Sequence, residues 1–217
     1  MAQDLSEPEY VFYTKLLANM FQGTPYAHDA LGTKPSFDQT TGAMLQKFHE
    51  TWYVPNNAIL VIAGNVDPQK TLARVKDIFG AIPQKELPPR PPVHLQPVTP
   101  AHLQLSTDQP YGLVVFSFRF PGYDSPDYAA AKVLADVLNS QRGRLFDLAA
   151  QGKALNTSFD LAPLPQAGLA LAIAAFPKDG NAEVLRQQVK EVIQDWVRQG
   201  FDPDLVAAAK KQEAARL

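Results

Sequence analysis

The chain contains no cysteine among its 217 residues. This absence excludes a disulfide scaffold, thiolate zinc sites, iron–sulfur clusters and a cysteine nucleophile. Positive and negative charges are nearly balanced, since the chain has 20 lysines and arginines and 22 aspartates and glutamates. The near balance gives no general reason to expect a nucleic-acid partner. The longest apolar run, residues 169–176, is far shorter than the roughly 18 residues of a membrane-spanning helix.

Proline, by contrast, is abundant, and seven of the 19 prolines lie between Pro83 and Pro100. Proline lacks the backbone N–H, fixes φ and pushes the preceding residue to extended geometry. Residues 83–100 are therefore predicted to contain neither a helix nor a central strand. We interpret them as a stiff linker between two domains, residues 1–82 and 101–217.

The pattern of apolar and turn residues predicts an α+β fold. The strongest strand signals are Asn57–Gly64 and Leu113–Phe120, and we expect both segments to be central strands. The last predicted helix reaches Leu217 without a stop signal, so we expect the native protein to extend beyond the chain. The other predicted strands cover residues 103–107, 154–162 and 168–176. The predicted helices cover residues 8–20, 40–53, 67–79, 125–138, 143–150, 181–198 and 202–217.

The four histidines are the first candidates for metal ligands, but no two lie three or four apart in one predicted helix. His49-Glu50 begins like H-E-x-x-H, yet Tyr53 occupies the position of the second histidine. We therefore interpret His49 as a residue on a helix surface. His94 and His102 flank the linker and are expected to be solvated.

Two other polar groups are able to bind a ligand. His28-Asp29 has the chemistry of a metal ligand or an acid–base pair, and we interpret it as a polar loop tip. Arg142 and Arg144 precede a short helix, where a carboxylate or phosphate would fit; we interpret them as solvated arginines. If all four residues converged on one pocket, the chain would be a small-ligand binding module.

No nucleotide-binding signature is present. The chain has no G-x-G-x-x-G, and Gly152-Lys153 lacks the rest of a P-loop. Asp202 and Asp204 bracket a proline at a helix start, which helix capping explains.

Three phenylalanines, Phe116, Phe118 and Phe120, alternate along one predicted strand with Arg119 on the opposite side. Such a face is able to stack nucleic-acid bases, but we interpret it as a face of the core. Taken residue by residue, the sequence contains no complete catalytic constellation.

Short motifs nevertheless follow one another in a fixed order. In the first half they are T-P-Y at 24–26, L-G-T at 31–33, F-H at 48–49, W-Y-V-P-N-N-A at 52–58 and V-I-A-G-N-V-D at 61–67. In the second half they are F-P-G at 120–122, L-N at 138–139 and G-R-L-F at 143–146. In order and spacing the chain resembles the pitrilysin/insulinase-type zinc metallopeptidases (inverzincins). The resemblance implies two partial repeats of the family's sheet-plus-helices domain. Residues 1–82 would be the C-terminal portion of the first, and residues 101–217 the N-terminal portion of the second.

The resemblance also implies that the zinc chemistry lies outside this chain. Family members bind zinc through the two histidines of H-x-x-E-H and a downstream glutamate, and the glutamate within the motif activates water. By the resemblance these residues precede Met1. We therefore assign no catalytic and no metal-binding residue to this chain, and its substrate-binding residues are unknown. Zinc is expected in the full-length parent and not in this internal fragment, which alone is predicted to be inactive.

The function implied for the parent is that of a zinc-dependent metalloendopeptidase acting on peptides or unfolded polypeptides. The alternative is a non-catalytic partner subunit of the same family, forming half of a substrate chamber. The expected partners are a peptide substrate and a homologous subunit or second domain, without nucleic acid and without a membrane span. For the location, the bacterial periplasm is slightly favoured over the cytoplasm.

Overall fold

A three-stranded antiparallel sheet organises the second half of the chain in the computed structural model, which describes residues 6–216. Strand β3 (Ala167–Pro177) lies between β1 (Tyr111–Pro121) and β2 (Asn156–Pro163). The pairing of β1 with β3 runs from Tyr111 opposite Pro177 to Pro121 opposite Ala167. Strands and helices coexist in one chain, and the predicted α+β fold class is confirmed.

Helices account for most of the remaining regular structure. Five of them begin with a side-chain cap, in which an oxygen of Thr33, Thr41, Asp67, Asn181 or Asp202 accepts from a backbone N–H of the first turn. None of the helices within residues 6–216 is long and apolar enough to cross a membrane. The helices are α1 (Pro8–Met20), α2 (Lys34–Asp38), α3 (Gly42–Trp52), α4 (Pro68–Phe79), α5 (Tyr128–Leu138), α6 (Arg144–Ala150), α7 (Ala182–Gln199) and α8 (Pro203–Ala215).

One face of the sheet packs against α5, α6 and α7, and α8 packs against α5. Strand β3 contributes Ala170, Ala172 and Ala174 to this face, all fully buried. Because alanine has a short side chain, the helices approach the strand closely here, and Leu145 and Val189 fill the space with almost no exposure. The face also contains the three alternating phenylalanines of β1, which confirms their interpretation as core residues.

The opposite face of the sheet packs against α1. Leu16, Leu17 and Met20 of that helix form a second buried cluster with Leu169 of β3, and Val98 of the proline-rich segment packs against it. Alternate residues of β3 therefore serve two cores, as the period of a strand requires. The first and second halves of the chain are joined through this cluster.

The predicted central strand Asn57–Gly64 is wrong. Residues 58–64 belong to no strand, and the large side chains of Ile59 to Ile62 are exposed. A strand needs a neighbour to satisfy its N–H and C=O groups. Within residues 6–216 no strand pairs with this segment, so its strong β-propensity does not produce a ladder.

Two further strand predictions need correction. Residues 103–107 form no strand, for the same lack of a neighbour. Strand β1 forms as predicted but lies at one edge of the described sheet, because β3 takes the central place. Residues 83–100 contain neither helix nor strand, as their prolines predict. The division of the chain into two domains stays a prediction.

Candidate functional site

The loop residues His28 and Asp29 form a local hydrogen-bond cluster with α1. The Tyr10 hydroxyl donates to Asp29 Oδ2 over 2.8 Å, and the Leu31 N–H donates to Asp29 Oδ1 over 3.0 Å. The His28 Nδ1 lies 2.9 Å from the Asp29 carbonyl oxygen. The bond from Leu31, two residues further on, is that of an Asx turn. The bond from Tyr10 ties this loop to α1.

The two arginines near α6 have different partners. Arg144 Nη1 lies 3.0 Å from Asp195 Oδ2, and its Nη2 donates to Gln199 Oε1. The backbone N–H of Arg142 donates to Ser140 Oγ over 3.2 Å. Arg144 thus fastens the start of α6 to α7. The hydrogen bonds and ion pairs of residues 6–216 do not bring the arginines together with His28 and Asp29 in one site.

The remaining three histidines are all exposed. His49 is exposed on α3, where its ring stacks on that of Tyr53 with centroids 4.7 Å apart, so its placement on a helix surface is confirmed. Glu50 Oε1 accepts from Gln46 Nε2 over 2.9 Å. His94 and His102 are exposed, as predicted.

A zinc ion needs three or four ligands that converge within about 2.0–2.2 Å of the metal. In the described part of the chain, no group of three or more histidines, aspartates and glutamates is placed to hold one. The side chains of residues 6–216 therefore do not fit the zinc site that the resemblance implies for the parent.

The first-half motif around Trp52 to Asn57 has a structural role that the sequence reasoning missed. Asn57 Nδ2 donates to the Trp52 carbonyl oxygen over 2.9 Å, at the end of α3. Asn56 bonds both main-chain groups of Lys85, donating to its carbonyl oxygen over 2.9 Å and accepting from its N–H over 3.3 Å. Lys85 Nζ donates in turn to the Glu50 carbonyl oxygen. The consecutive asparagines after Pro55 were the available signal.

The T-P-Y motif joins α1 to the sheet. Thr24 is buried and donates through Oγ1 to the Phe21 carbonyl oxygen over 2.7 Å. The rings of Phe21 and Tyr26 meet edge to face with centroids 5.8 Å apart. The Tyr26 hydroxyl accepts from the backbone N–H of Gln166, at the turn between β2 and β3.

The second-half motifs also connect secondary-structure elements to one another. Asn139 ends α5 and accepts through Oδ1 from the Phe159 N–H over 3.0 Å, which ties the helix to β2. Gly122 passes so close to the turn before β3 that a Cβ there would lie 2.3 Å from the Pro165 carbonyl oxygen and 2.3 Å from the Ala167 nitrogen.

A charged network between α5 and α8 was not foreseen either. Glu213 pairs with Lys132 and with Arg216, and Arg216 Nη1 lies 3.2 Å from Asp136 Oδ1. The hydrogen bond from Lys132 lowers the pKa of Glu213. Burial, helped by the neighbouring Glu213, raises the pKa of Asp136 against the opposing effect of Arg216. This network links α5 to the C-terminal end of α8.

Most of the chain matches a known protein family. Residues 40–213 match the family model described as Peptidase M16 inactive domain. A stretch of 81 residues, 37% of this chain, is 32% identical to the uncharacterized zinc protease YmfH of Bacillus subtilis (strain 168), and it covers 19% of that protein.

Solved structures match nearly the whole chain. A protease from Helicobacter pylori aligns with a TM-score of 0.79 at 19% identity, over 98% of this chain and 53% of that one. A putative M16-like peptidase from Alicyclobacillus acidocaldarius aligns with a TM-score of 0.79 at 22% identity, over 99% of this chain and 52% of that one. At this identity the likeness shows the fold alone. The chain spans about half the length of these structures and matches a smaller share of the curated relative.

Proposed function

The chain belongs to the peptidase M16 family, as a member of its inactive-domain group that lacks the catalytic motif, and from this premise we propose that the parent protein is a zinc-dependent metalloendopeptidase acting on peptides or unfolded polypeptides. Within it, residues 1–82 and 101–217 are portions of two successive repeats. They supply framework and chamber wall, and the zinc ligands come from another part of the protein.

The family match over residues 40–213 carries this proposal. It is supported by the curated relative, which is named a zinc protease.

The contacts of the motif residues support a framework role. Asn139, Gly122 and Arg144 each join one element of the second half to another. Tyr26 joins the first half to the sheet, and Thr24 holds the loop that follows α1. A chamber that encloses a flexible peptide needs walls whose position does not change, because orientation of the substrate depends on a rigid scaffold. Both faces of this sheet are covered, which makes it suited to that role.

The alternative is a non-catalytic partner subunit that forms half of a substrate chamber. The description of the matched domain as inactive fits this alternative as well. The sequence of the parent gene upstream of Met1 separates the two. An intact H-x-x-E-H supports the peptidase, and a degenerate motif supports the partner subunit.

The experiment compares the parent with the 217-residue chain. Each is equilibrated with zinc, freed of excess metal and assayed by mass spectrometry for bound zinc and with quenched fluorescent peptides for cleavage. We expect one zinc and chelator-sensitive cleavage in the parent, and neither in the chain. His49→Ala and Glu50→Gln in the parent should leave both readouts unchanged. Stoichiometric zinc on the chain, lost in His49→Ala, would contradict the proposal.

The location is a further part of the proposal. We place the parent in the bacterial periplasm, where the absence of cysteine from these 217 residues avoids unwanted disulfides. An N-terminal signal peptide in the parent gene supports this location, and its absence contradicts it.

A further inference from the structure

Strand β2 has a free side in the sheet. Within residues 6–216 it pairs only with β3, in a register that places Phe159 opposite Ala172. The main-chain N–H and C=O groups of successive residues in an antiparallel strand point to its two sides in turn, so every second residue of β2 turns these groups away from β3. Such groups are a template on which the strand of another chain is able to pair.

The two ends of this free side are irregular. The Leu155 N–H donates to the Ala175 carbonyl oxygen over 2.8 Å, although Ala175 lies opposite Asn156. Two residues thus meet one residue of β3, as in a β-bulge, which disturbs pairing at the start of β2. At the other end, Pro163 has no N–H to offer. The regular stretch of the free edge is therefore residues 157–161.

The side chain of Asn139 occupies the middle of that stretch. The Phe159 N–H donates to Asn139 Oδ1 over 3.0 Å, so this N–H points away from β3 and is already bonded. The Phe159 side chain is 3% exposed in the core and does not shield its own main chain. Asn139 ends α5 with a φ of −89°, which any residue adopts, and its own N–H donates to the Ala135 carbonyl oxygen. The helix end alone therefore does not require an asparagine side chain.

We propose that Asn139 closes the free edge of β2, and that without its side chain the β2 strands of two copies of the chain pair with each other. Two identical antiparallel strands pair about a two-fold axis, so the same groups of both copies are satisfied at once. With Phe159 at the axis, the Phe159 N–H of each copy would donate to the Phe159 carbonyl oxygen of the other. This inference concerns association of the chain and does not depend on the proposed peptidase activity.

The test is amide hydrogen exchange at Phe159 in the 217-residue chain, measured over a range of protein concentrations together with sedimentation. In the wild type we expect slow exchange at Phe159 that does not depend on concentration. In Asn139→Ala at low concentration, exchange should be faster by about tenfold or more, because the bond that protects this amide is lost. Exchange should slow again as the concentration rises and a dimer forms. Asn139→Asp keeps an acceptor in the same place and should behave as the wild type.

A second substitution separates strand pairing from a general loss of stability. Thr157 turns its N–H to the same side as Phe159, so Thr157→Pro removes a donor of the free edge and no donor of the ladder with β3. Added to Asn139→Ala, it should abolish the dimer.

Two outcomes would overturn the proposal. One is an Asn139→Ala variant whose exchange at Phe159 does not depend on concentration, because the bulge, Pro163 and the charge of Asp160 would then close the edge without Asn139. The other is a dimer that persists when Thr157→Pro is added, because the copies would then associate through another surface. Neither readout uses peptidase activity, so failure here is distinct from failure of the proposed function.

Discussion

The side chain of Arg119, in β1, donates to the main-chain carbonyl oxygen of Met20 at the end of α1, with Nε 2.7 Å from the oxygen. Its Nη2 bonds the same oxygen, and its Nη1 donates to the Gln96 carbonyl oxygen in the proline-rich segment. The guanidinium also lies over the Phe21 ring, 5.5 Å from the centroid. One strand residue thus fastens a helix end and the linker to the sheet.

The first prediction is that Arg119→Met destabilises the chain by about 1.5–3 kcal/mol, the usual range for hydrogen bonds from a charged group. Methionine keeps much of the apolar stem and removes every donor. Urea unfolding of the chain measures the effect. Arg198→Met is the matched control, because within residues 6–216 Arg198 bonds only to its own helix, and we expect a change within about 0.5 kcal/mol. A similar small change for Arg119→Met would mean that its bonds do not stabilise the fold.

The second prediction concerns the close approach at Gly122. Gly122→Ala places a Cβ against main-chain atoms of the turn before β3, which cannot rotate away. We expect a loss of about 1–3 kcal/mol in urea unfolding, the usual cost of overpacking. Gly42→Ala in the first turn of α3 is the control. In the described part of the chain, no atom outside its own helix backbone and its chain neighbours lies within 4 Å of the added Cβ, and alanine favours a helix. Equal effects of the two substitutions would contradict the clash.

Local sequence signals predicted most helices because capping and periodicity act over a few residues. Pro68–Phe79 follows Asp67 and ends at Gly80, as its cap and stop residues indicate. The strand signal of residues 57–64 is just as strong, but a strand depends on a partner that the local sequence does not contain. The predicted helix is therefore present in the structure, and the predicted strand is not.

The third prediction concerns Asn56 and the start of the linker. Asn56→Ala removes both bonds to the main chain of Lys85. Loss of about 1 kcal/mol of local stability should raise the rate of tryptic cleavage after Lys85 about fivefold, because proteolysis follows the population of the open segment. Limited proteolysis with mass spectrometry measures this rate. Asn65→Ala, at an exposed position, should leave it unchanged. An unchanged rate in Asn56→Ala would show that other contacts hold the segment.

The candidate site was harder to predict than the fold because its residues act through main-chain partners far away in sequence. Asn56 and Lys85 are 29 residues apart, and Tyr26 and Gln166 are 140 apart. Contacts between residues so far apart in sequence follow from no rule of local spacing. The interpretation of His49 as a helix-surface residue is confirmed, because its exposure depends only on residues close to it in the same helix.

The fourth prediction uses the opposite pKa shifts of Asp136 and Glu213. The folded pKa of Asp136 is raised above its usual 3.8. From pH 3.8 up to the raised value, the folded state therefore holds a proton that the unfolded state has released. The free energy of unfolding falls across this window as pH rises. Asp136→Asn removes this titration, so the stability of the wild type relative to the variant should decrease with rising pH there.

Glu213 supplies the control of opposite sign. Its folded pKa is lowered below 4.5, so its stabilisation is fully present above pH 4.5 and is lost as pH falls through the folded value. The wild type should therefore lose stability relative to Glu213→Gln on acidification. Urea unfolding between about pH 3 and pH 7 covers both windows. Because the two carboxyls are neighbours, the double variant should lose both slopes. The stability of the wild type relative to each single variant should therefore change with pH in opposite directions. Changes in the same direction would contradict the causes given for the two pKa shifts, burial for Asp136 and the hydrogen bond from Lys132 for Glu213.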